Sequence, residues 1–328
     1  LNLFIDRIDA HLQASLQPVE ALLHTTAADY DPFVIPQDGS RFYAHDLYHL
    51  LARRAVDTYQ GWRGFNVDSL MDRRIKDVYQ TMIATYRQRP DAEDAVVMAT
   101  LDYEQWRADM QSPDGYLQTL DSLIAAYGTR DVCGEVYIRK AQWLNDKRQY
   151  VQALRVCDEG LKRYAAYKRI GELKNIRARI LQPALNIYTA EGYPSDSVSM
   201  RVNYRNLSGF TLNVYATDYD ERPWLDDGLT SAVCRRHGRL LASHRFALRP
   251  LPGKDKAAED VPYHSCDTTL HFRLPDGVGV YILQAVPEGE KTLHQSYNFL
   301  CVSRFKVLSL NVDEQTTEFI TLDALTGH

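Results

Sequence analysis

"ILQPALNIYTAEGYPSDSVSMRVNYRN", residues 180–206, is where the apolar residues of the chain change their spacing. Before this stretch they recur every three or four positions; within it they begin to recur at every second one. Pro183 ends whatever helix precedes it, because its ring removes the N–H donor and collides with the turn before. Val198, Met200, Val202 and Tyr204 then alternate with Ser197, Ser199, Arg201, Asn203 and Arg205, the pattern of a strand with one buried face. "FTLNVYATD", residues 210–218, follows after Ser208-Gly209 as a hairpin partner would. The spacing therefore predicts helices up to about residue 181 and strands from 182 onward.

Working back from Pro183, helix follows helix. "YAHDLYHLLARRAVDTY" (43–59) places Leu47, Leu50 and Leu51 on one stripe, extended by Ala55 and Tyr59. "VDSLMDRRIKDVYQTMIATY" (67–86) repeats the pattern with Leu70, Ile75, Val78, Tyr79, Met82 and Ile83. Further helices are predicted near 92–109, 115–128, 132–147, 150–166 and 169–181, with breaks at "SPDG" (112–115) and "DKRQ" (146–149). In the pair spanning 135–167, Tyr137, Ala141 and Leu144 form one inner face and Ala153, Cys157 and Gly160 the other. Small residues at 141, 153 and 160 let the two helices approach closely. This pair resembles a tetratricopeptide unit, although Lys140 stands where that pattern prefers a large apolar residue.

Working forward, strands are predicted near 184–191, 239–248, 266–274, 279–287 and 293–302, which with the hairpin makes seven joined by Gly, Pro and Asp turns. No helix is expected between them, and 218–238 and 249–263 read as long surface loops. The fold class is thus α+β in two separate domains: an all-α, tetratricopeptide-like helical-repeat array over 1–181, then an antiparallel β-sandwich over 182–302. Residues 303–328 are expected to be a linker with opening strands of a further domain. That tail is expected to lie against the first sandwich or to pair with an edge strand of a neighbouring molecule. The competing expectation has Phe305 and Val307 filling the core of the first sandwich.

A chain of 328 residues with 45% hydrophobic and 25% charged residues has ordinary globular composition. Its 38 basic and 43 acidic residues leave a net charge of −5, spread with no basic footprint over either half, which argues against nucleic acid as the main partner. No stretch approaches the roughly 20 consecutive apolar residues of a membrane span. The five cysteines (133, 157, 234, 266 and 301) form no Cys-x-x-Cys pair and read as small buried core residues.

The search for chemistry finds one metal-like motif, "HDLYH" at 45–49. His45 and His49 share a helix face, but a zinc peptidase needs Glu beside the first His, and Asp46 stands there with no third ligand in view. Gly277 and Gly279 separate two strands and open no helix, so they read as a tight turn rather than a phosphate loop. His264, Cys266 and Asp267 are close in sequence, yet alternation sends Cys266 and Asp267 to opposite strand faces. "NLS" at 206–208 matches a glycosylation sequon. No catalytic residue, cofactor or metal is expected.

The wording of 180–218 resembles the entry to the first sandwich of the bacterial α2-macroglobulin-like proteins of Bacteroidetes, in which a helical region leads through a proline into a strand and then a "v-x-Y-R-N" strand (here Val202 to Asn206). "LPDGVGVYILQAVPEGE" (274–290) resembles their "L-P-x-G-x-Y" strand at Leu274, Pro275, Gly277 or Gly279, and Tyr281. "CVSRFKVLSL" (301–310) and "FITLDALTGH" (319–328) resemble the linker and opening strands of the next domain. The helical half matches more loosely, around Tyr150 to Leu154. The resemblance implies an N-terminal fragment of a large, exported protease trap, an endopeptidase inhibitor of the periplasm or cell surface. Proteins, proteases above all, would be its partners, and a lipid anchor outside these residues its link to a membrane. Nothing in the chain carries the family's Cys-x-E-Q thioester wording. The rival reading is a free-standing helical-repeat scaffold that binds a protein or peptide.

Overall fold

The computed structural model describes residues 23–24, 46–63, 69–189, 192, 197–217, 228–252, 257–275, 277–289, 295–311, 317–324 and 326–328. Among them the chain forms eight α-helices and three antiparallel sheets. By internal contacts it divides into two units, Leu1–Lys147 with Gln152–Arg177, and Arg148–Val151 with Ala178–His328.

The first unit is a succession of helices: α1 (Leu47–Arg63), α2 (Ser69–Arg87), α3 (Glu93–Met110), α4 (Tyr116–Tyr127), α5 (Cys133–Asp146), α6 (Tyr150–Arg163) and the start of α7 (Gly171–Leu181). Helices α1 to α3 share one core, in which Tyr48, Val56, Ile75, Met82, Tyr86 and Trp106 are buried. Of the stripe expected on α1, Leu47, Ala55 and Tyr59 are buried and Leu50 and Leu51 are half-buried, while Tyr48, Ala52 and Val56 join the buried face. Aromatic packing draws Tyr48 in, since its ring sits 5.9 Å from that of Tyr86 on α2. Leu70, counted on the apolar face of α2, is exposed in its first turn.

The α5–α6 pair buries all six expected residues, Tyr137, Ala141, Leu144, Ala153, Cys157 and Gly160. Gly160 is there because of space: a Cβ at that position would stand 2.5 Å from Leu173 Cδ1 and 3.0 Å from Tyr137 Cβ. Lys140, the misfit in the repeat pattern, points instead to Asp121 of α4, 2.5 Å away.

The second unit contains β1 (Ala184–Thr189), β2 (Val198–Arg205), β3 (Gly209–Thr217), α8 (Ser231–His237), β4 (Gly238–Ala247), β5 (Cys266–Phe272), β6 (Gly279–Pro287), β7 (Ser296–Val302), β8 (Phe305–Asn311) and β9 (Thr317–Asp323). Strands β1-β2-β5 form one sheet and β4-β3-β6-β7 the other, with every pair antiparallel. Their inner faces share one core, to which Met200, Val202 and Tyr204 contribute from the first sheet and Leu212, Val214 and Leu283 from the second. The period of two in "SVSMRVNYR" is thus the period of burial.

Two expectations need correction. The stretch 218–238 is not all loop: Thr230 caps α8 by accepting the Val233 N–H (3.3 Å), and Cys234 packs on Ile282, on the sheet face opposite the main core. The second correction concerns the tail, where β8 and β9 pair only with each other among the described residues. Phe305 and Val307 are 61% and 59% exposed, so they do not fill the sandwich core, and the ribbon does not lie against it.

Both ribbon faces are apolar. The register puts Phe305, Val307 and Phe319 on one and Leu308, Leu310 and Ile320 on the other. Cutting the chain after Val302 should therefore leave the sandwich standing. Among the described residues its core includes none from 303 onward, and the backbone bond lost is Ser303 N–H to Gly192 O. The stability of the sandwich, read from its denaturation curve, should fall by no more than about 1 kcal/mol. A truncated chain that fails to fold would place the ribbon inside the sandwich's cooperative unit.

Candidate functional site

Asp46 of the "HDLYH" motif is occupied with structure. Its carboxylate caps α1, accepting the His49 N–H (2.9 Å), and also accepts the Tyr86 hydroxyl (2.5 Å) and an Arg89 guanidinium N–H (3.3 Å). Burial together with that carboxylate pushes the Tyr86 phenol far up. His49 is buried beside the Tyr86 ring, and His45 lies outside the described residues. Among the described residues no three His, Cys, Asp or Glu side chains gather as a metal site would require.

A run of alternating charges crosses the helical unit. Arg53 of α1 meets Asp102 of α3 at 3.2 Å, and Asp102 meets Arg139 of α5 at 3.6 Å. Arg139 also stands 3.6 Å from Glu135, which takes Arg169 at 2.6 Å and the Tyr167 hydroxyl at 3.0 Å. Glu135 is 1% exposed, so this is an interior network rather than a solvated face. Burial pushes the Asp102 carboxyl up against the pull of Arg53 and Arg139. The sequence shows these charges; it hides their meeting, because they come from four separate elements.

In the second unit the words "Tyr-Arg-Asn" at the end of β2 each have a mechanical task. The Tyr204 hydroxyl donates to Arg249 O (2.6 Å). Arg205 donates to the carbonyls of Arg179 and Gln182, and the Asn206 amide donates to Ile180 O (2.7 Å) and Gln182 O (3.2 Å). Together they satisfy carbonyls that the last turn of α7 leaves open. Asn206 adopts φ +53°, a conformation that asparagine tolerates better than most side chains. Its amide nitrogen, the acceptor of the sequon, is thus already engaged.

Beside this cap lies a cleft of about 430 Å³, lined among others by Leu181, Tyr204, Leu248, Pro250, His264 and Cys266. Its one thiol is tied into backbone: Cys266 Sγ accepts the Leu251 N–H (3.4 Å) and donates to His264 O (3.7 Å). Asp267 points the other way, exposed and paired with Arg201 at 3.2 Å. The three residues do not converge. Gly277 (φ +70°) and Gly279 make the turn into β6, and the Tyr281 hydroxyl closes it by donating to Gly277 O (3.2 Å).

No family model matches the chain, and no curated protein does. Among the solved structures that resemble part of it are two of native alpha-2-macroglobulin from Escherichia coli. The structure spanning domains MG0-NIE-MG1 is 15% identical, covering 44% of this chain and 46% of its own, with a TM-score of 0.31. The structure spanning NIE-MG1 is 15% identical, covering 45% and 72%, with a TM-score of 0.30. The chain thus matches less than half the length of the first. At such scores neither fold nor function is carried across, and the fold described above rests on the chain's own geometry.

The remaining chemistry is that of the thiols. Burial pushes Cys133 and Cys234 up to about 11 and Cys157 up to about 12, so these three stay protonated and shielded at neutral pH. Cys266 is buried and Cys301, on β7, is exposed. Iodoacetamide should therefore label Cys301 first in the folded protein and the other four only after denaturation. Peptide mass mapping over a time course reads this directly, and early labelling of Cys157 or Cys234 would contradict the burial. Among the described residues no helix is long and apolar enough to cross a membrane.

Proposed function

We propose that the chain is a non-catalytic part of a bacterial α2-macroglobulin-like protein of the Bacteroidetes type, a broad-spectrum endopeptidase inhibitor that traps proteases. In this reading residues 1–181 form a tetratricopeptide-like helical platform and 182–302 the first macroglobulin-like sandwich. Residues 303–328 form the linker and opening strands of the next domain. The protein is exported, to the periplasm or cell surface, and its partners are proteins.

One observation carries the reading. Two of the sequence stretches that resemble the family, Val202–Asn206 and Leu274–Tyr281, have defined tasks in the sandwich, a helix cap and a closed turn. The tail supports it from another direction. A ribbon apolar on both faces needs cover on both, as two strands of a larger sheet would have, since an isolated hairpin is marginal in water.

Antibody raised against this chain tests the reading in the source cells. A band far larger than 37.6 kDa is expected in the envelope fraction, and added trypsin should convert it to a cleaved form that retains the enzyme. The isolated chain should neither hydrolyse a protein substrate nor protect one from endopeptidases, with or without zinc. A cytosolic band near 37.6 kDa, or hydrolysis lost on replacing His45 and His49, would overturn it.

A further inference from the structure

Strand β4 lies at the edge of the four-stranded sheet, and among the described residues nothing pairs with its outer side. Its hydrogen-bonding parity follows from the structure. Leu248 gives its N–H to Ser208 O (2.8 Å), and Phe246, His244 and Ala242 stand opposite Phe210, Leu212 and Val214. These even-numbered residues therefore direct their backbone groups at β3, while Ser243, Arg245 and Ala247 direct theirs outward. An edge of this kind is a template for another strand.

Among the described residues the charge along that edge is one-sided. Residues 228–252 contain Arg235, Arg236, Arg239, Arg245 and Arg249 and no Asp or Glu, in a chain whose net charge is −5. All five arginines are exposed, and Arg245 stands 2.5 Å from Glu288. They stand at both ends of the strand: Arg235, Arg236 and Arg239 where it begins, Arg245 and Arg249 where it finishes. Leu240, between them, is 52% exposed. Counting charge over whole halves of the chain conceals this segment.

We propose that the outer edge of β4 is a docking site for an acidic, extended peptide segment of a partner protein, which adds to the sheet as a strand. From Ala242 to Leu248, past the register shift opposite Val214 and Tyr215, the edge offers both N–H and C=O groups at the two-residue repeat of a strand, and a peptide backbone answers both. A phosphate or sulfate chain has acceptors only and would leave the edge carbonyls unmatched. Carboxylate side chains on the incoming strand meet the arginines, which fixes its register and speeds encounter. The inference stands on β4 alone and is independent of the protease-trap reading.

The test uses the full chain and a fluorescent peptide of about ten residues alternating glutamate and valine, a length that matches a typical strand. Fluorescence anisotropy at low salt should show saturable binding that weakens as salt rises. Arg235→Glu combined with Arg236→Glu and Arg249→Glu should weaken it by about tenfold or more, since charge complementarity is lost. Ser243→Pro removes an outward N–H without touching the β3 ladder and should weaken binding while all charges stay. Methylating alternate amides of the peptide should do the same from the partner's side, and needs no altered protein. Absence of binding by the unaltered chain overturns the proposal. So does equal binding of polyphosphate or heparin together with indifference to peptide methylation, which would make the edge a plain polyanion surface.

Discussion

Replacing Val202 with aspartate should unfold the sandwich and leave the helical unit folded. Val202 is fully buried on β2, the middle strand of its sheet, opposite Ile187 on one side and Thr268 on the other. Its side chain meets the shared core, which is built of apolar side chains from both sheets. A carboxylate placed there finds apolar side chains in place of water, and must either ionise in that surrounding or bind a proton. The cost is about 4 kcal/mol or more, comparable with the whole stability of many domains. Far-UV circular dichroism should keep its helical signal, while the near-UV signal of the sandwich tyrosines is lost and an apolar dye begins to bind. A variant that melts like the parent would mean that this face of β2 does not point inward. Loss of all helical signal would mean that the two units fold only together.

How far the sequence foretold the structure depended on whether a residue's environment is made by its neighbours in sequence. Strand β2 was legible because alternation needs only adjacent residues, and Pro183 marked where it could begin. The α5–α6 pair was legible for a similar reason, since small residues at 141, 153 and 160 announce close approach. The face of α1 was legible in Leu47, Ala55 and Tyr59 but missed at Tyr48, which is drawn inward by Tyr86, a residue 38 positions later. Helix α8 was missed for want of an apolar stripe, although Thr230 at its start and arginines in its last turn were available as end signals. Asp46 looked like a defective metal motif because its true partners, Tyr86 and Arg89, lie on another element. Candidate sites are the least legible of all, since they depend on such long-range meetings.

The charge network of the helical unit yields the second large effect: Glu135→Ala should destabilise that unit by about 2–3 kcal/mol, because the buried carboxylate goes with its charge-assisted hydrogen bonds while Arg169 and Arg139 keep some solvent. Glu135 sits in the first turn of α5, where a negative charge also suits the helix N-terminus. It holds Arg169 at 2.6 Å, the Tyr167 hydroxyl at 3.0 Å and Arg139 at 3.6 Å. Alanine leaves a cavity among these groups and strands the buried part of Arg139 with Asp102 as its remaining carboxylate. Glu135→Gln should lose less, because an amide oxygen can still accept from Tyr167. The exposed pair Arg163–Glu159, 2.9 Å apart, is the natural control, and Arg163→Ala should cost less than about 1 kcal/mol. Urea midpoints of the helical transition order the three variants. The same experiment run against pH separates charge from packing. Burial raises Asp102 in the folded chain, and the negative charge of Glu135 adds to that rise. A carboxyl raised on folding contributes more to stability as pH falls through its folded value towards the ordinary value near 4. Removing Glu135 takes away one cause of the rise, so the gain on acidification should shrink in Glu135→Ala and in Glu135→Gln alike. If the two variants differed in stability but kept the parent's pH dependence, Glu135 would act through packing alone, and the alternating charges would not be electrically joined.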